Sequence, residues 1–321
     1  LTRIQAFVLR AHFGVEQPAR RARGLFANFN GSGGLWRKAA IEDAGGWRAD
    51  TITEDLDLSY RVQFKGWRIE FLEHEPCDSE LPVDMEGFRS QQFRWMKGGA
   101  QNARLHLGSV LRSQLPLLVK LHACAHLLAS SFYLLVLGTV VLSVPLGAAG
   151  NAATRAYTTR YAFAFLFAIP VAAALLYEAQ DRPYTTVRFM AMVAGWFVFS
   201  LGMCLHSASA VFHGWLGRAG EFVRTPKYGI VGARGDWSKS AYVRSRLPAV
   251  AWLEVGLMIF VVLGLVAGWV QRYFAFYPVQ LMTLGGLGWV LGLSLLHSQK
   301  AQGRRLAAAA ARAAPEAGPA R

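Results

Sequence analysis

What most constrains this chain is a set of long apolar runs without charge in its second part. Ala123–Leu146 and Phe189–Val211 contain no Asp, Glu, Lys or Arg. Val255–Val270 and Tyr273–Leu296 are alike, with Glu254 just before the first and Arg272 between them. Tyr161–Tyr177 is uncharged too, but shorter. Uncharged apolar runs of about 18 residues or more read as membrane-spanning helices. Trp and Tyr mark several ends (Tyr133, Tyr177, Trp252, Trp269, Tyr273, Tyr277), where interfacial anchors belong. So many runs in one region argue against a large soluble helical core.

Charge then becomes readable. The chain has 34 Lys and Arg against 20 Asp and Glu, a formal +14 that taken alone points to nucleic acid. Residues 1–115 carry 16 basic and 14 acidic residues, a net of +2, which leaves +12 for residues 116–321. Within the second part, 213–247 holds seven basic and two acidic residues, and the tail 298–321 is basic and Ala-rich. By the positive-inside rule both face the cytoplasm, so the charge is an orientation signal and no nucleic-acid partner is needed. Three Cys at wide spacing exclude a disulfide scaffold, and the 53% apolar content excludes a disordered chain.

Parity limits the topology. If 1–115 and 213–247 are both cytoplasmic, one of the three runs between them does not cross. Phe189–Val211 is the best candidate, because His206, Ser207 and Ser209 suit a helix partly in the interface. The short Tyr161–Tyr177 competes. The expected plan is four spans plus one interfacial or re-entrant helix over 116–297. The chain opens on an amphipathic pattern (Ile4, Phe7, Val8) as though mid-domain, and a portion upstream is expected. Leu306–Arg321 is expected to fray.

The first part carries polar motifs. Phe26–Trp36 (FANFNGSGGLW) is an apolar stretch entering a Gly-rich turn at Asn30, Gly31 and Ser32. It lacks the spacing of a phosphate-binding loop or dinucleotide fingerprint. The pattern predicts a helix near Arg37–Ala44, stopped by Gly45-Gly46. Thr53 is a plausible N-cap for a helix over about Glu54–Lys65. Glu54, Asp55 and Asp57 then lie in a first turn, where acids also meet the macrodipole favourably. Trp67–Leu72 alternates and predicts a strand. Glu73-His74-Glu75 is a poor metal set, with its acids split across strand faces. In MEGFRSQQFRWMKGGAQN, the residues Gln91, Arg94 and Trp95 stand at i, i+3 and i+4 and share a helix face. Arg suits phosphate oxygens bidentately, and a Trp face suits a sugar ring. A membrane-surface helix would show the same pattern. His122 and His126 flank Cys124 at i, i+4, and two such ligands alone do not make a metal site. Cys77, Cys124 and Cys204 read as reduced thiols.

Taken in order, FNGSGGLWR, DAGGW, TITEDLDLSYRVQFKGW, SQQFRWMKGGAQ and EFVRTPKYG resemble membrane-embedded family-two glycosyltransferases. The likeness is to the cellulose-synthase-like group that includes glucomannan and mannan synthases. It implies an α/β fold: the C-terminal half of a GT-A-type glycosyltransferase domain over 1–115, then an α-helical transmembrane domain. It implies inverting transfer from a nucleotide-sugar donor to a growing glycan acceptor, processive and coupled to translocation across the bilayer. Asp55 would be the base, supported by Thr53 and Glu54. Arg94 would contact the diphosphate, Trp95 the acceptor, and Gln91 completes the motif. Asn30, Gly31 and Ser32 would form the acceptor-side loop. Phe222, Thr225 and Lys227 would belong to a gating-like loop within 213–247.

The family's Mg²⁺ or Mn²⁺ ligands lie in an upstream half that this chain lacks, so no metal site is expected here. Asp55-Leu56-Asp57 spells that motif but sits in the wrong place. The fragment alone is expected to be inactive. The expected location is the bacterial inner membrane, multi-pass, with the catalytic part cytoplasmic. Accessory export subunits are left unidentified. A non-processive transferase to a lipid acceptor is the near alternative. A transporter with a cytoplasmic domain is the distant one, since it would need ionisable residues inside the spans.

Overall fold

A computed structural model describes residues 1–31, 33–149, 151–153, 155–160, 184–218, 225, 227 and 248–313. The expected run Tyr161–Tyr177, most of the loop 213–247, and residues Ser32 and Phe222 lie outside them. The chain starts with α1 (Thr2–Ala11), which passes through a π-turn at His12–Glu16 into α2 (Gln17–Ala22). Then come α3 (Lys38–Asp43), α4 (Glu54–Phe64) and the long α5 (Met85–Arg112). α6 (Leu117–Leu128) continues through a 3-10 turn, Ala129–Ser131, into α7 (Phe132–Ala149). α8 (Thr186–Gly202), α9 (Cys204–Trp215), α10 (Val250–Val270) and α11 (Tyr277–Ala313) follow.

Among the described residues, three helices are long and apolar enough to cross a membrane: Leu117–Ala148, Val250–Val270 and Tyr277–Gly303. They fit membrane embedding. The run expected to be interfacial is broken: α8 and α9 meet at Met203 with a 59° bend. Leu306–Ala313, expected to fray, continues α11, in keeping with the high helix propensity of Ala.

The α/β expectation is met only in part. Among the described residues there is no paired strand. Trp67–Leu72 keeps its alternation, with Trp67, Ile69 and Phe71 half-buried and Arg68, Glu70 and Leu72 exposed. It has no described neighbour to supply a ladder, and a lone extended segment is not a strand.

Phe26–Gly31 solves the same problem differently. Its backbone bonds go to side chains of α4. Gln63 accepts from Ala27 N–H at 2.9 Å and donates to Ala27 O at 2.8 Å. Ser59 Oγ accepts from Phe29 N–H at 2.9 Å, and Asp55 Oδ2 accepts from Gly31 N–H at 2.8 Å. The register has a simple cause. Four helical residues rise about 6 Å, and two extended residues rise about 6.7 Å. Asp55, Ser59 and Gln63 therefore meet residues 31, 29 and 27 in step.

The core is shared between the two parts of the chain. Phe26 and Tyr60 pack with Ala103 and Val110 of α5 and with Ala123 and Leu127 of α6. Ile4 of α1 packs with Met85, Phe88, Phe199, Met203 and Val290. Between α8 and α11 the backbones touch. A Cβ on Gly286 would stand 2.1 Å from the Val198 carbonyl oxygen, whereas one on Gly288 would meet nothing within 4 Å. Small residues permit such close helix crossings. Gly286→Val is expected to separate the helices and destabilise the fold by about 1–3 kcal/mol or more. Gly288→Ala should leave thermal stability in detergent nearly unchanged. Equal melting of the two variants would contradict the crossing.

Candidate active site

The site gathers at the N-terminus of α4. Asp55 Oδ2 takes the Gly31 N–H, and Oδ1 takes the Leu56 N–H at 2.9 Å. Gly31 adopts φ +71°, a left-handed conformation that suits glycine and aims its N–H at the carboxylate. Burial pushes the Asp55 carboxyl above its ordinary range, and Glu54's charge adds to this. The Leu56 and Gly31 N–H groups work against the rise without cancelling it.

Asp57 has a different environment. It is 3% exposed and accepts from Arg61 Nε and His106 Nε2, both at 2.8 Å. Burial raises its pKa, but the bonds and charges of His106 and Arg61 outweigh burial and hold it below the usual range. Arg61 also donates to Ala44 O at 2.5 Å and Gly46 O at 2.8 Å, tying α4 to the end of α3. Two acids two positions apart thus divide, one open to chemistry and one committed to structure.

Thr53 occupies the N-cap position of α4, but its side chain makes no cap bond. Its hydroxyl instead accepts from the fully buried Asn102 Nδ2 at 3.0 Å. That amide also reaches Gly98 O at 2.9 Å and Thr51 Oγ1 at 3.3 Å. Gln101 Oε1 accepts from Ile52 N–H at 3.0 Å. Gly98, Gln101 and Asn102 therefore hold Thr51–Thr53 from one face of α5. Sequence reading passed over these three. Their signal was the i, i+3, i+4 spacing, the same that picked out Gln91, Arg94 and Trp95.

Arg94 lies beside the acids. Burial lowers its pKa, and the charges of Glu54 and Asp55 oppose that. Arg94 Nη2 donates to Thr225 Oγ1, joining α5 to the gating-like loop. Trp95 is 42% exposed and Gln91 is half-buried. Lys227 is exposed. Asn30 is exposed beside Gly31 and accepts from Asn28 Nδ2 at 2.8 Å. The geometry thus brings Asp55, Glu54, Arg94, Thr225 and the Asn30–Gly31 loop together.

Asp57 is taken up by Arg61 and His106, while each Asp55 oxygen accepts one backbone N–H and keeps a lone pair for a proton. Among the described residues no group of three or more His, Cys, Asp or Glu is placed to hold a metal. His126 has a structural role: Tyr60 OH is 2.9 Å from its Nδ1 and Arg20 Nη1 is 3.3 Å from its Nε2. The three Cys are free, with Cys77 exposed and Cys204 buried.

The arrangement sets a carboxyl of raised pKa beside a half-buried Arg. Residues 1–198 match the family described as Glycosyl transferase family group 2, and the chain belongs to that family. It is similar to glucomannan 4-beta-mannosyltransferase 1 of Oryza sativa subsp. japonica, 31% identical over 76% of this chain and 46% of that protein. It is also similar to glucomannan 4-beta-mannosyltransferase 7 of Arabidopsis thaliana, 32% identical over 71% of this chain and 40% of that protein. The chain spans about half the length of the curated relatives it matches. These relatives are plant proteins and lend no support to a bacterial inner membrane. No solved structure matches the chain.

Proposed function

We propose that the protein carrying this chain transfers a sugar, with inversion, from a nucleotide-sugar donor to a growing β-glycan at a membrane. The carrying observation is the convergence of Asp55 and Arg94 on one site, built by α4 and α5 from residues 39 positions apart. Inversion needs a base on the acceptor side, and Asp55 is the described carboxylate here whose pKa stands above its ordinary range on balance. Asp55 takes the proton of the attacking hydroxyl. Arg94 meets the negative charge that grows on the departing diphosphate. Thr225 and Lys227 close over that diphosphate, and the exposed indole of Trp95 supports an acceptor ring.

Mannosyl transfer is the first reading of the donor sugar, because the plant relatives carry that name. Processive synthesis with translocation is our reading of the apolar helices packed against α5. The basic loops support catalysis on the cytoplasmic side of a membrane. The test is a screen of UDP- and GDP-sugars on membranes expressing the complete reading frame, followed by linkage analysis. A β-linked polymer supports the proposal. Transfer to lipid alone would favour the non-processive alternative.

The Asp55 environment makes a further prediction. A raised carboxyl loses its base form at higher pH than a free aspartate, whose pKa is about 3.9. The acid limb of kcat/KM should therefore sit above that value. Glu54→Gln removes a charge that raises the Asp55 pKa, so the limb should move to lower pH. Movement to higher pH would contradict the assignment of Asp55 as base.

A further inference from the structure

Helix α10 contains a single charged residue, Glu254, and it is fully buried. Its carboxylate meets Arg89 of α5 in a two-bond fork: Nη1 to Oε1 at 2.7 Å and Nη2 to Oε2 at 2.6 Å. Arg89 is 2% exposed. Nothing in the proposed chemistry uses either group.

Such a dry pair is a poor source of stability. Apolar residues of similar volume usually do as well or better, because two charges must be stripped of water. What the pair supplies is a fixed position. Among the described residues it joins two other polar pins that membrane-domain helices place on the first half of α5. His206 of α9 donates from Nε2 to Arg89 O at 2.9 Å. His297 of α11 accepts from Met85 N–H at 3.0 Å. The Arg89 side chain sits opposite the functional face. At about 100° per residue, Arg94, Gln91 and Trp95 lie about 140°, 200° and 240° round the helix from Arg89. Apolar packing tolerates a small rotation of α5, but a two-bond fork does not.

We infer that Arg89 and Glu254 are positioning residues. They set the rotation and height of α5 and so aim Gln91, Arg94 and Trp95 into the site from its far side. Through this pair the membrane domain holds the substrate-binding face. The inference rests on the proposed transferase reading for its kinetic test, so a second readout is chosen that needs no activity.

The discriminating variant is Arg89→Met with Glu254→Leu, expressed from the complete reading frame. It is expected to match or exceed wild-type thermal stability, yet lose about 10–100-fold in kcat/KM, chiefly through a higher donor KM. Arg89→Lys keeps the charge but grips as a single point, and should lose less. In a Cys77→Ser background, Gln91→Cys labelling by a soluble maleimide should change rate when the pair is replaced. No transfer by wild type would sink the transferase reading and leave the labelling test to decide. Wild-type kinetics with unchanged labelling in the double variant overturns the inference. A loss of activity matched by an equal loss of folded protein also overturns it.

Discussion

Asp55→Asn, in the protein expressed from its complete reading frame, is expected to lower sugar transfer by about 10²–10⁴-fold, the usual worth of a general base. Nucleotide-sugar binding should change little, because Arg94 and the gating-like residues carry the diphosphate in the proposed site. Asn is close to Asp in shape and keeps one oxygen to accept from Gly31 or Leu56, so the loop should stay in place. The comparison that gives this force is Asp57→Asn. Asp57 is buried between Arg61 and His106, and removing its charge leaves the largely buried guanidinium of Arg61 uncompensated. That variant should first lose thermal stability, with activity falling in step. Radiolabelled sugar incorporation and melting, measured on both variants, separate the roles. Near-normal incorporation by the Asp55 variant would remove it as the base.

Much of this site was legible because its parts are local. Spacing at i, i+3 and i+4 placed Gln91, Arg94 and Trp95 on one face, and the first-turn acids placed α4 within a residue or two. Long uncharged runs gave three apolar helices, because a bilayer leaves little freedom in composition. What stayed hidden was partnership. Thr53 looks like a cap in sequence, yet its hydroxyl serves Asn102, 49 residues away. Gln63 and Ser59 look like the polar residues of a solvated helix, yet they supply the hydrogen bonds that a neighbouring strand would have given. Glu254 looked like a boundary marker, yet it pairs with Arg89 across 165 residues. Periodicity reports which face a residue occupies; it does not report what the opposing element offers. The strand expectation at Trp67–Leu72 failed for the same reason, since alternation predicts a face but not a ladder partner.

Those hidden contacts lead to a second large effect, at Gly98. A Cβ built there would stand 2.3 Å from Thr53 Oγ1 and 2.5 Å from Thr53 Cγ2. Ordinary contacts need about an ångström more, so any side chain must push the Thr51–Thr53 loop away from α5. Thr53 is short and β-branched and its hydroxyl is bonded to Asn102, so it cannot swing aside cheaply. The displacement passes straight into α4, whose first residue is Glu54 and second is Asp55. A shift of about 1 Å at a reacting group can cost about 10²-fold in rate. Gly98→Val is therefore expected to lose about 10²-fold in kcat, although Gly98 touches no substrate in the proposed reaction. Asn102→Leu should act in the same direction, by leaving the Thr53 carbonyl and hydroxyl without their amide donor. Measuring kcat alongside binding of the nucleoside diphosphate decides the matter. Binding should persist while kcat falls, because Arg94 stands one helical turn before Gly98 and need not move. Loss of both together would mean that α5 itself, and not the loop it carries, had been displaced.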